Sequence, residues 1–291
     1  MSFVLTDRVT RSAPVRLRFR DEAAGAFITD GLRVVAYDPS VPFSKVQAFP
    51  NASGDYVLTG LPGLAEFENS DGSAQAFSAA LLKKKKYMVQ VVDAFSRYSP
   101  VQFLINAPIV SDSGLPQHRG LFFWEDPADS FAKKTPYVPL FPSSSCPVAP
   151  GMGVIRATLL EMPPGPKATA ASGAMLTATI HGHTDITVRG IADQKGNIAL
   201  QFSYPEPALT MHESLPAPEG LSWAVDVAAF YKRQDGSADI FDLTKTLCQP
   251  SAVLIGNAST SAAFAGETLW FGKDLLLKTT GQSVLYITPA V

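Results

Sequence analysis

His181 and His183, one residue apart and followed by Asp185, come nearest to a reactive centre by residue type and spacing. Alternate side chains of a strand share a face, so an H-x-H pair presents two imidazoles together, as a metal hydrolase requires. A third and a fourth ligand are missing at any recognisable spacing. Thr177 and Thr179 continue the same face while Leu176, Ala178 and Ile180 form the apolar one, so the histidines are expected to be solvated at a strand end. His118 and His212 stand alone in proline-rich connections, and neither has a neighbouring Ser or Cys in a nucleophile context. No G-x-S-x-G elbow is present, and a nucleophilic hydrolase is not expected. Gly151-Met152-Gly153 lacks the third glycine and the helix that would present amides to a phosphate. Neither a metal nor a cofactor is expected.

Other clusters carry interaction chemistry. Lys83 to Lys86 are four like charges that could meet phosphate or acidic lipid; they read first as a solvated helix end, where cations complement the dipole. Tyr204-Pro205-Glu206-Pro207 reads as a structural corner, because a residue preceding proline is driven to extended backbone. The run Phe122, Phe123, Trp124 admits three readings: a ligand platform, a wedge that docks a partner, or apolar filling between two domains.

The elements that must position these residues are strands. Val15, Leu17 and Phe19 alternate with Arg16, Arg18 and Arg20; Leu221, Trp223, Val225, Val227 and Tyr231 alternate with Ser222, Ala224, Asp226 and Ala228. Further strands are expected at 32–37, 56–61, 87–95, 101–105, 154–161, 174–182, 186–191, 198–203, 252–255, 269–271, 275–278 and 284–288. Turn signals such as Ser53-Gly54, Asp71-Gly72, Lys195-Gly196, Asp235-Gly236 and Thr280-Gly281 separate them. One stretch, Ser73 to Lys86, reads as helix, with Phe77, Leu81 and Leu82 on one side. Asn51 to Leu58 and Asp193 to Leu200 echo each other as turn, glycine, polar residue and alternating apolar positions. Prolines stud 106–151, which is expected to form an extended, semi-rigid connection.

Composition bounds the rest. Lys and Arg number 24 against 26 Asp and Glu, a net charge of −2, with 46% hydrophobic and only 17% charged residues. A disordered chain has the opposite balance, and there is no basic excess to neutralise a nucleic-acid backbone. Gly 21 and Pro 23 exceed the roughly 12% of average usage, which points to many turns and few long helices. The length of 291 residues favours two domains. Apolar runs fall far short of a membrane span, and the first residues lack a secretory pattern, so cytoplasmic synthesis without a signal peptide is expected. Cys146 and Cys248, far apart in sequence, are expected to be reduced.

Two resemblances add to this reading. Val15 to Asp21, Gly25, Ile28, Gly31 to Val34, Ser53 to Leu58 and Leu61-Pro62-Gly63 resemble the carboxypeptidase-regulatory-like, transthyretin-like β-sandwich over about residues 14–105. That family passes straight from its L-P-x-G turn into the next strand, whereas a helical insertion from about Ala65 to Lys86 intervenes here. The resemblance implies a scaffold without catalysis. Val91 to Pro100, Pro139-Leu140-Phe141-Pro142, Val154 to Ala157, Arg189 to Asp193, Tyr204 to Pro207 and Gln249-Pro250 are similar to β-rich proteins of extracellular contractile injection systems, the phage-tail-like particles of bacteria. This likeness runs from about residue 85 to the C-terminus. It implies a structural subunit at or around the baseplate, carried in a particle that is released or membrane-attached.

The expectation is therefore an all-β chain: an N-terminal arm (1–13), a first antiparallel sandwich (14–105), a Pro-rich arm (106–151) and a second sandwich (152–291). Its expected role is non-enzymatic assembly with other subunits of the particle, baseplate or sheath, with symmetric multiple copies as one arrangement, through Phe122, Phe123 and Trp124, without nucleic acid and without a transmembrane segment. Two alternatives stand beside it. One is a carbohydrate- or surface-binding module stacking ligands on Trp124, Trp223 or Trp270; the other is a metal hydrolase using His181 and His183.

Overall fold

Alternating apolar and polar residues become strands nearly throughout, and the chain is all-β. A computed structural model describes residues 12–69, 84–109, 120–127, 134–162, 169–182, 184–206, 220–233, 239–260 and 262–290. Among them only two short helices occur, Ala65–Glu68 and Leu243–Leu247. The second is capped by Asp242, whose side chain accepts from the Lys245 amide.

A five-stranded sheet runs in the order Phe241–Asp242, Val101–Ala107, Lys85–Asp93, Leu32–Tyr37, Val46–Gln47. Two smaller sheets close over its inner face. One joins Val15–Leu17, Tyr56–Leu58 and Phe49–Pro50; the other joins Val138–Leu140, Phe19–Asp21 and Phe27–Ile28. Leu17, Phe19, Tyr56, Tyr87, Phe103, Ile105, Leu140 and Phe141 fill the core between them. A ten-stranded sheet holds the second core, with Ile186–Ile191, Met175–Ile180, Ser222–Phe230, Ser251–Asn257, Leu285–Thr288, Met152–Glu161 and Asn197–Ser203 along its path. Its two end strands come close where Gly190 lies against Leu200; a Cβ at Gly190 would sit 2.4 Å from the Leu200 side chain.

Three expectations change. The described parts of 106–151, expected as an extended connection whose aromatics dock, belong to the first core rather than to a separate arm. Asn106 and Ala107 finish a strand, Val138–Leu140 pairs in parallel with Phe19–Asp21, and Leu140 and Phe141 are buried in the first core. Prolines bar a segment from central strands but not from an edge strand, and the apolar residues between them gain by docking. Second, the pairing is mixed rather than purely antiparallel: Phe241–Asp242 runs parallel to Val101–Gln102, and Met152–Glu161 runs parallel to Leu275–Leu276 and to Leu285–Ile287. Third, Lys85 and Lys86 are strand residues opposite Ala107 and Asn106, not a helix end. The rest of the expected helix, through Lys83, lies outside the described residues, apart from Lys84, which is exposed and precedes the strand.

The two cores are not divided at one point of the chain. Phe241, Leu243 and Leu247 come late in sequence yet belong to the first core, as do Met175 and Ile191 from the large sheet. Ile191, Met175 and Phe230 lie opposite one another on three neighbouring strands and abut that core as one apolar row. Arg189 adds a polar clasp. Its guanidinium donates to Glu22 at 2.8 Å and to Asp126 at 2.7 Å, and lies over the Phe141 ring.

The two echoed turns share one hydrogen-bond scheme. Asn51 Oδ1 accepts from the Ser53 and Asp55 amides, and Asp193 Oδ1 from those of Lys195 and Asn197. Gly54 and Gly196 take φ of +78° and +81°, which explains a glycine at that step of each turn.

Candidate interaction surface

The inner residues of the five-stranded sheet, Val34, Ala36, Val89, Val91, Phe103 and Ile105, are buried. Their alternates project outward. Tyr37 lies opposite Met88 and Met88 opposite Leu104, which forms an apolar row across three strands. Val35, Gln90 and Gln102 make the next row, followed by Arg33 opposite Val92. Leu104 is 50% exposed and Val92 39%, both high for aliphatic side chains at strand centres. Gln90 ties the rows together: its Nε2 donates to the Tyr37 hydroxyl at 3.1 Å and to Gln102 Oε1 at 3.2 Å, and Lys45 Nζ donates to its Oε1. The face is apolar and amide-rich, with charge at its margins in Arg33, Lys45 and Lys86. Its border strand Val46–Gln47 pairs on one side only.

The aromatic run expected to dock partners is placed differently. Trp124 is only 4% exposed and packs edge-on against Phe103, while Phe122 stacks on Phe103 at 5.8 Å between ring centroids. Phe123 is half-buried. Trp124 and Phe122 thus serve the first core, and a buried indole has no free ring face for a second molecule. Trp223 is likewise buried, stacked on Tyr204 at 5.2 Å, so of the three tryptophans proposed as sugar platforms Trp270 alone is substantially exposed.

His181 stands on the outer face of the large sheet, as its alternation with Ile180 requires. Its Nδ1 lies 3.1 Å from Asp185 Oδ2 and its Nε2 2.9 Å from Asp226 Oδ2. Bonds to Asp226 first, then to Asp185, raise its pKa above the ordinary 6.5. Both carboxylates favour the protonated ring, the form in which the two nitrogens donate. His118, His183 and His212 lie outside the described residues. Among the described residues no group of three or more His, Cys, Asp or Glu is arranged to hold a metal ion.

A cleft of about 470 Å³ opens between the two cores, lined by Ser99, Ser143, Ser144, Asp193, Lys195 and Asp239 among others. Ser144 Oγ donates to Asp193 across it at 2.8 Å, and Gln194 Nε2 donates to Asp239 at 2.6 Å. Among the described residues no histidine lines it. Both cysteines are free; burial chiefly raises the Cys146 thiol pKa, which makes it a poor nucleophile.

The outward apolar row escaped the reading of the sequence, although a signal was present. Tyr87-Met88-Val89-Gln90-Val91-Val92 is apolar in both phases of the alternation, which a strand with one solvated face does not need. No protein-family model matches the chain, and no curated protein or solved structure is significantly similar to it.

Proposed function

We propose that this chain is a non-enzymatic assembly subunit that works through protein–protein contacts, and that its setting is a contractile, phage-tail-like particle. The observation that carries the contact role is the open face of the five-stranded sheet, where Tyr37, Met88, Leu104 and Val92 lie outward beside the one-sided edge Val46–Gln47. An apolar, amide-bearing face with few charges at its centre has the composition of an interface core. From strand spacing and rise it covers about 400 Å², half of the roughly 800 Å² that each partner gives to a standard interface. One such contact is weak, and many copies in register make it strong. The particle setting rests on the resemblance of Val91 to Pro100 and Tyr204 to Pro207 to proteins of such systems.

The test is co-purification of the chain with sheared contractile particles, comparing the natural sequence with Met88→Glu/Leu104→Glu. Met88 and Leu104 face each other on paired strands, so the two carboxylates cost the fold roughly 1 kcal/mol; thermal unfolding shows that the variant is folded, and it is expected to be lost from the particle fraction. Recovery of both proteins only as free monomer refutes the setting. Equal incorporation of both refutes the role of the face.

A further inference from the structure

The end of the five-stranded sheet at which Leu32–Tyr37 finishes and Lys85–Asp93 begins carries a second surface of different chemistry. Here the loop 38–45 projects Val41 and Phe43 into solvent, and Phe43 is 95% exposed. A phenylalanine so bare has no role in its own fold, and the loop is held without it. Asp38 Oδ1 accepts from the Ser40 amide and hydroxyl, the Val41 amide donates to Asp38 O, and the Ser44 amide donates to Val41 O. Proline at position 42 stiffens the tip further.

Cations gather at the same end. Tyr37 lies opposite Met88, so the antiparallel register sets the loop after Tyr37 beside Lys84, Lys85 and Lys86, all exposed. The Asp38 carboxylate, lowered in pKa chiefly by Ser40, also feels Lys85, which confirms the proximity. Lys45 leaves the loop and lies over the Tyr37 ring. None of these four lysines is in an ion pair among the described residues. Among the described residues the carboxylates at this end are Asp38, engaged by Ser40, Glu68, buried and accepting from the Gly60 amide, and Glu66 in the first turn of the short helix.

The geometry points to a membrane-contact site: Phe43 and Val41 enter the interfacial layer of an anionic bilayer while Lys45, Lys84, Lys85 and Lys86 engage its headgroups. An apolar tip and a basic cluster are two separate signals, and two are what reversible peripheral binding needs. Neither suffices alone. A protein pocket would also accept Phe43, but four lysines at the same end of the sheet, none of them in an ion pair among the described residues, match a sheet of negative charge better than the mixed-sign rim of a protein interface. The site does not depend on the assembly reading.

Co-sedimentation of the full chain with unilamellar vesicles of phosphatidylcholine, with and without phosphatidylglycerol, tests it. Binding is expected only where phosphatidylglycerol is present, falling steeply as salt rises. Removing one lysine (Lys45→Ala, Lys84→Ala or Lys86→Ala) weakens it about fivefold, and Phe43→Ser weakens it about thirtyfold. Thermal unfolding of each variant shows that its fold is kept. A neutral variant of the neighbouring sheet face, Met88→Thr/Leu104→Thr, removes the apolar row without adding charge beside Lys86 and Lys45 and retains most of the vesicle binding, so failure of the assembly reading leaves this result intact. Absence of sedimentation with anionic vesicles, equal binding to pure phosphatidylcholine, or full binding by Phe43→Ser overturns the site.

Discussion

Arg189→Met tests how the two cores are held together. Methionine keeps most of the apolar stem and removes the guanidinium, with its charge, its donors and its contact over Phe141. In the native protein the guanidinium is 20% exposed, with Glu22 and Asp126 at 24% and 18%. Burial, the largest influence, works against the charge, yet the two carboxylates outweigh it and raise the pKa of Arg189 above its ordinary value. Removing one partner of a fully buried pair costs about 3–5 kcal/mol. Here water reaches part of every group, which discounts the loss to about 2–3 kcal/mol. For a chain of this size that lowers the unfolding midpoint by about 3–5 °C. Scanning calorimetry reads the change, and a triple variant, Arg189→Met with Glu22→Gln and Asp126→Asn, separates lost attraction from stranded charge. The triple variant is expected to regain stability to within about 1 kcal/mol of the natural chain, because neutral amides do not repel. A fall of less than about 0.5 kcal/mol in the single variant, or a triple variant no better than the single, refutes the clasp.

Two further outcomes concern titrating groups. Glu161 is buried, accepts from Tyr231 Oη at 2.6 Å and pairs with Arg233. Its pKa is lowered by Arg233 first, against the opposing effect of burial, and then by Tyr231. That contribution is complete above the unfolded pKa and is lost as pH falls through the lower folded one. Tyr231→Phe therefore costs about 1–2 kcal/mol at neutral pH and progressively less in acid; a pH-independent loss in urea titrations contradicts this. For His181 the sign is opposite: a raised pKa gives stability that is complete below 6.5 and disappears as pH rises through the folded value. Its ring resonances in NMR are expected to titrate above 6.5 and to move down in Asp226→Asn. Titration at or below 6.5 in the natural chain argues against the double carboxylate bond.

The longer strands, the two turns around Gly54 and Gly196, and the solvated position of His181 were legible in the sequence, because each depends on neighbours a few residues away; short strands such as Phe27–Ile28, Val46–Gln47 and Val138–Leu140 were not, since two or three residues carry no period. Alternation shows which side of a strand is apolar, and Asn or Asp before glycine marks a turn without reference to the rest of the chain. The outward row Tyr37–Met88–Leu104 was only half legible: Met88 breaks the alternation, but nothing in sequence tells which strands will set Tyr37 and Leu104 beside it.

Tertiary structure alone decided where the proline-rich stretch goes. Trp124 has the same composition of neighbours whether it caps a partner or fills a core, and burial against Phe103 settled the matter. Phe241–Asp242 likewise crosses back to pair with Val101–Gln102, and Arg189 finds its carboxylates at positions 22 and 126. Such contacts are chosen by shape and charge between segments distant in sequence, whereas a local pattern records only that a side chain prefers to be buried or paired. The all-β character belongs to the sequence; the joining of the two cores, and the faces left over for other molecules, belong to the fold.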